Sequence, residues 1–139
     1  MNAVNEDSIE CLAQNVEAID ELLLNAEQQL KKIGQYEELG LVSDESAPEY
    51  SLLMDSFNTF SPIDQKIDIY RNRFTMWSEL DITVYQKSEV TRSLGQIKRL
   101  TLVTRNILRI CRKVLGFPDP EREQEELQMQ LMMMGQQFK

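Results

Sequence analysis

The 139-residue sequence contains no histidine. Imidazole is the usual general base, the usual activator of a serine or cysteine nucleophile and the commonest zinc ligand. Ser-His-Asp, Cys-His and H-E-x-x-H chemistry are therefore excluded, as is a ferritin-like di-iron site, which requires Glu-x-x-His on two helices. What remains is carboxylate chemistry. Glu17 and Asp20 form an E-x-x-D pair, the spacing at which helical carboxylates can hold magnesium for nucleotide hydrolysis, but no second helix offers a matching pair. Their plainer role is a solvated helix flank. No glycine-rich phosphate loop of either common type occurs. Met129, Met132, Met133 and Met134 could offer thioethers to copper(I), although packing against an irregular surface is the commoner use of methionine. The expectation is a protein without catalytic residues, metal or cofactor, and not an enzyme.

The second chemically suggestive feature is charge. Residues 1–30 hold seven acids and no base, whereas residues 87–113 hold eight bases and one acid, Glu89. At about 100° per residue, Lys87, Lys98, Arg105, Arg109 and Arg112 fall on one helical face. Such a row can pair with nucleic-acid phosphates, with an acidic partner protein, or with the acidic helix of the same chain or another copy. Few aromatics interleave the bases, which weakens a single-strand stacking role. The net charge of −8 opposes non-specific attraction to polyanions.

These residues need helices to position them. Leu, Glu, Gln, Lys, Arg and Met dominate the long segments, with only five Gly and four Pro, a composition that favours helix. Ile9, Leu12, Val16, Ile19, Leu23, Ala26, Leu30 and Ile33 alternate spacings of three and four, which predicts a first helix from about Asp7 to Ile33 with a coiled-coil seam. Lys31 and Lys32 suit its last turn, and Gly34 suits a left-handed stop. Residues 35–47 read as a connection. A short helix at 47–58 follows, with Ser46 as cap, Pro48 in its first turn and Glu49 completing a capping box. Ser61-Pro62 predicts a new helix start, with an aromatic-rich stripe of Ile63, Ile67, Tyr70, Phe74, Trp77 and Leu80. That stripe lapses between Asp81 and Ser88, where a bend is expected. The next helix runs from about Ser88 to Leu115 and carries Ile97, Leu100, Val103, Ile107, Ile110, Cys111 and Val114, with Gly116 as its stop. Asp119-Pro120 opens a last amphipathic helix, whose stripe is Leu127, Leu131, Met134 and Phe138.

The length suits one core, and 42% hydrophobic residues are enough to fill it. Apolar runs are a few residues long, against the roughly 20 that a membrane helix needs. The acidic N-terminal stretch lacks a secretory h-region, so a cytoplasmic location is expected. Cys11 and Cys111 lie on apolar stripes and read as buried free thiols.

The sequence thus predicts an all-α, elongated antiparallel helical bundle with coiled-coil character over residues 1–117, and a C-terminal amphipathic arm over 118–139. Three candidate partner surfaces emerge: the seam of Ile9, Leu12, Val16, Ile19, Leu23 and Leu30; the basic face of Lys87, Lys98, Arg105, Arg109 and Arg112; and the arm residues Leu127, Leu131, Met134 and Phe138. All present surfaces rather than reactive groups. The favoured function is a non-enzymatic interaction module, an adaptor, assembly factor or structural subunit that binds a protein partner or itself. The alternatives are a nucleic-acid-binding regulator that uses the basic helix 87–113 and a carboxylate-dependent magnesium enzyme.

Overall fold

The computed structural model describes residues 7–118 and 120–137. Within them the chain forms four α-helices, α1 (Leu12–Gly34), α2 (Pro48–Ser78), α3 (Val84–Leu115) and α4 (Pro120–Gln137), with short 3-10 turns at Ile9–Cys11 and Glu37–Leu39. No strand is present among the described residues. The chain is an all-α helical bundle.

α3 is the hub of this bundle, with α1 along one flank and α2 along the other. Side-chain partners fix the directions. Arg92 and Arg99 of α3 meet Asp20 and Glu27 of α1, so residue numbers rise together and the two helices run parallel. Arg71 meets Thr101 and Asp64 meets Arg105, so numbers fall as they rise and α2 runs antiparallel to α3. The seam of α1 lies inside this body: Leu12, Val16, Ile19, Leu23, Ala26 and Ile33 are buried in the core, with Ile9 and Leu30 half-buried at its edge. Opposite them lie Leu53, Phe60, Ile67, Phe74 and Trp77 of α2 and Val90, Ile97, Leu100, Ile107, Leu108, Ile110, Cys111 and Val114 of α3.

The expected break at Ser61-Pro62 does not occur. α2 runs unbroken through Pro62, and the Ser61 hydroxyl is a buried group without a partner rather than a helix cap. Proline costs about 3 kcal/mol in a helix interior, because it lacks an N–H and its ring crowds the carbonyl four residues back, here that of Asn58. Burial of Leu53, Ser56 and Phe60 before it and of Ile67 after it holds one continuous helix together against that cost. Ser46 does not cap α2 either. Its amide and hydroxyl both donate to Asp44 Oδ1, and Ala47 takes the cap position. Those two bonds hold the Asp44 carboxyl below its usual range.

α3 begins four residues earlier than expected. Thr83 Oγ1 accepts from the Gln86 amide while the Gln86 side chain accepts from the Thr83 amide, a reciprocal capping box. At the other end, Gly116 ends α3 in the left-handed region at φ 75°. A β-carbon there would meet Leu41 Cδ1 at 2.7 Å, the end of an exposed side chain that can move aside, so it is the backbone angle that requires glycine. Gly34, by contrast, stays within the last turn of α1 without a positive φ. The loop after α1 crosses the end of α3, where the Val42 amide donates to the Val114 carbonyl over 2.7 Å.

Both cysteines are buried free thiols, and burial pushes the Cys111 thiol up to about 11.

Two outcomes test this packing. Replacing Pro62 by Ala restores an N–H and removes the ring clash, so it should raise the unfolding free energy by about 1 to 3 kcal/mol in urea denaturation. A fall would mean that the exposed proline ring stabilises α2 more than its missing N–H costs. Replacing Ile19 and Leu23 together by Ala should cost about 2 to 5 kcal/mol per site, because both are buried against the chain's own helices.

Candidate interaction surfaces

The basic face of α3 divides. Arg109 Nη1 donates to Glu37 Oε1 over 2.7 Å, while its Nε and Nη2 donate to Asn106 Oδ1. The Arg105 Nε lies 3.9 Å from Asp64 Oδ1, and the Arg112 guanidinium stands over the Phe57 ring at 5.7 Å. Three of the five residues on this face therefore have partners within the chain. Lys87 and Lys98 make no ion pair among the described residues.

Helix one does meet the basic helix, but through different bases. Arg92 pairs with Asp20 at 3.3 Å, and Arg99 Nε pairs with Glu27 Oε1. The acids lie seven residues apart on α1 and the bases seven apart on α3. Seven residues are two turns, so on parallel helices both pairs recur at the same height. The Asp20 hydrogen bond and charge raise the affinity of Arg92 for its proton, and Arg109 holds the Glu37 carboxyl below its usual range by the same means. Arg92 and Arg99 lie on the α1 side of α3, at the exposed rim of that contact, and so stand outside the face picked from the helical plot.

Asp20 therefore has a guanidinium as partner. Glu17, Asp20 and Glu89 line one shallow groove with Leu12, Val16 and Tyr85, and among the described residues no three acids or thiols are grouped to hold a metal ion.

A polar cluster that residue spacing did not reveal ties the start of the chain to α2. Arg73 Nε donates to Asp7 Oδ1 over 2.9 Å, Arg73 Nη1 donates to Asn15 Oδ1 over 2.5 Å, and Trp77 Nε1 donates to the Asp7 carbonyl over 2.7 Å. Asn15 Nδ2 in turn donates to the Cys11 carbonyl, and the Arg73 guanidinium stacks over Tyr70. The Arg73 side chain is 11% exposed, so its charge is met by hydrogen bonds rather than by water. Asp7, Cys11 and Asn15 recur every four residues, and so do Arg73 and Trp77, but nothing in the spacing of either set says that the two meet.

α4 is different in kind. Every described side chain from 124 to 135 is exposed. Leu127, Leu131 and Met134 of the arm stripe are 56%, 60% and 53% exposed, and Met129, Met132 and Met133 are at least as open. Phe138, the fourth member of that stripe, lies outside the described residues. The helix carries six large apolar side chains, with Leu127, Leu131 and Met134 on one face and Met129, Met132 and Met133 around the other side, and among the described residues no other element buries them.

The ion-pair ladder has a direct test. Both members of the Arg99–Glu27 pair are substantially exposed, so Arg99→Glu should lower stability by no more than about 1 kcal/mol, and adding Glu27→Arg should restore most of it at low salt. A double-mutant cycle with zero coupling would remove this pair from the helix-orienting set.

No family model, curated protein or solved structure matches the chain, so its function has to be argued from these surfaces.

Proposed function

We propose that this chain is a non-enzymatic helical interaction module, a structural subunit or adaptor, and that it engages its partner through α4. One observation carries this reading: six large apolar side chains between Leu127 and Met134 stand exposed on a helix that no other element buries among the described residues. An isolated helix of 18 residues is marginal in water, so its folded form needs a surface to bury against. Exposed apolar patches of this size mark interaction sites in soluble proteins. Methionine fits the role, because its unbranched side chain adapts to irregular grooves.

The other two surfaces support the same choice by being occupied. The α1 seam fills the core, and Arg105, Arg109 and Arg112 have partners inside the chain, which leaves few bases for nucleic-acid phosphates. No helix among the described residues is long and apolar enough to cross a membrane. A reducing compartment such as the cytoplasm suits the two free thiols.

Ending the chain after Pro118 separates a docking arm from a core helix. The truncated chain should keep its thermal midpoint within a few degrees of the full chain, because no described side chain of α4 is buried, and should lose assembly in sedimentation analysis. A truncated chain that unfolds at much lower temperature would show that α4 belongs to the bundle core.

A further inference from the structure

We infer that the groove between the N-terminal turns of α1 and α3 is a second docking site, and that it takes an arginine side chain presented by a partner protein. This goes beyond the role of α4 and does not rest on it.

The register of the two helices points to it. Asp20 meets Arg92 and Glu27 meets Arg99, each residue of α1 with the residue of α3 numbered 72 higher. Parallel helices of equal rise keep that offset from rung to rung. It sets Glu17 level with Glu89 and Ala13 level with Tyr85, and all four line the groove, with the nearly buried Leu12 and Val16 as its apolar floor and Asp20 at one end. Where the neighbouring rungs join an acid to a base, this rung opposes two acids. Glu17 makes no ion pair among the described residues, and Glu89 shares Arg92 with Asp20. Three carboxylates thus face one guanidinium, −3 against +1, a local charge of −2. Lys87 lines a separate hollow with Val84 and Ser88 and does not offset it.

What fits between opposed acids above an apolar floor is a cation on an apolar stem. The groove has a volume of about 290 Å³, just under the roughly 300–1,000 Å³ of small-molecule pockets. It is also open to solvent, which suits a side chain reaching in from a protein surface. Arginine matches each part of it. Its methylene stem can lie on Leu12 and Val16, and its planar fork offers donors to two carboxylates at once. Tyr85, 73% exposed and one turn before Glu89, supplies a ring for the guanidinium to stack on. Lysine has the charge but lacks the fork and holds its water more tightly.

Titration of the full chain with short capped peptides, followed through amide chemical shifts, tests the inference. The probes carry a central arginine, lysine or glutamate between leucines. The arginine peptide should bind saturably and shift the amides of residues 12–20 and 84–92, which hold the groove. The lysine peptide should bind more weakly, and the glutamate peptide should leave the groove unshifted. Glu17→Gln combined with Glu89→Gln should weaken arginine binding by about tenfold, two exposed pairs being worth a few-fold each, and Tyr85→Ala should weaken it by a further few-fold. Glu17→Lys fills the rung from within the chain: it should raise the thermal midpoint and abolish arginine binding. Lysine or glutamate peptides that bind as tightly as arginine, a double variant that binds like the unmodified chain, or no saturable shift in the groove would each overturn the inference. A Glu17→Lys chain whose midpoint fails to rise would overturn the opposed rung on which it stands.

Discussion

The structure depends on α3 being buried along two flanks at once. Val90, Ser93, Ile97, Leu100, Thr101, Thr104, Ile107, Leu108, Cys111 and Val114 are all buried, and at about 100° per residue they cover roughly half of the helix circumference. A stripe that wide cannot be covered by one neighbour. α1 and α2 take one side each, and between themselves they meet through long side chains such as Gln29 on Ser56 and Arg73 on Asn15. Lose α3 and neither outer helix has a surface to fold against. The cost of this order is that α1 and α3 run parallel, which aligns their dipoles unfavourably. The ladder of Asp20–Arg92 and Glu27–Arg99 opposes that repulsion and fixes the height of one helix against the other.

The width of that buried arc also explains what sequence reading found and missed. The apolar positions of α1 repeat without exception, and the helix, its inward face and its last turn follow from them. On α3 the flank toward Leu94 and Leu108 is hidden, because Ser93, Thr101 and Thr104 interrupt it with hydroxyls. Thr101 makes its place by donating to the Ile97 carbonyl and accepting from Arg71. Small residues let helices approach closely, yet they carry no hydrophobic signal. The same blindness applies at Pro62, where a local rule for helix starts was overridden by tertiary burial on both sides of the proline. Gly116 was legible because its left-handed backbone angle demands glycine; Gly34 was not, because α1 ends without a left-handed residue.

The candidate surfaces were legible to different degrees. Sequence alone identified the acidic and basic helices but not which bases face which acids, since flank and solvent positions on α3 depend on where α1 and α2 sit. The cluster of Asp7, Asn15, Arg73 and Trp77 joins two segments, each helical in its spacing, that carry no signal of their pairing. The arm was legible as a helix because its opening proline and the spacing of Leu127, Leu131 and Met134 are local features; that no other element buries it among the described residues is a tertiary fact. This contrast between a body whose polar and apolar groups are largely satisfied within the chain and a helix left open is what supports the proposed role in assembly.

Amide hydrogen exchange, resolved by residue and followed with protein concentration, tests that contrast most directly. Amides of α1, α2 and α3 should exchange together through global unfolding, at rates independent of concentration, while α4 exchanges fast in dilute solution and gains protection as concentration rises. If α4 is protected to the same global level as α3 at the lowest concentration, the helix belongs to the bundle and the division between finished body and open arm is wrong.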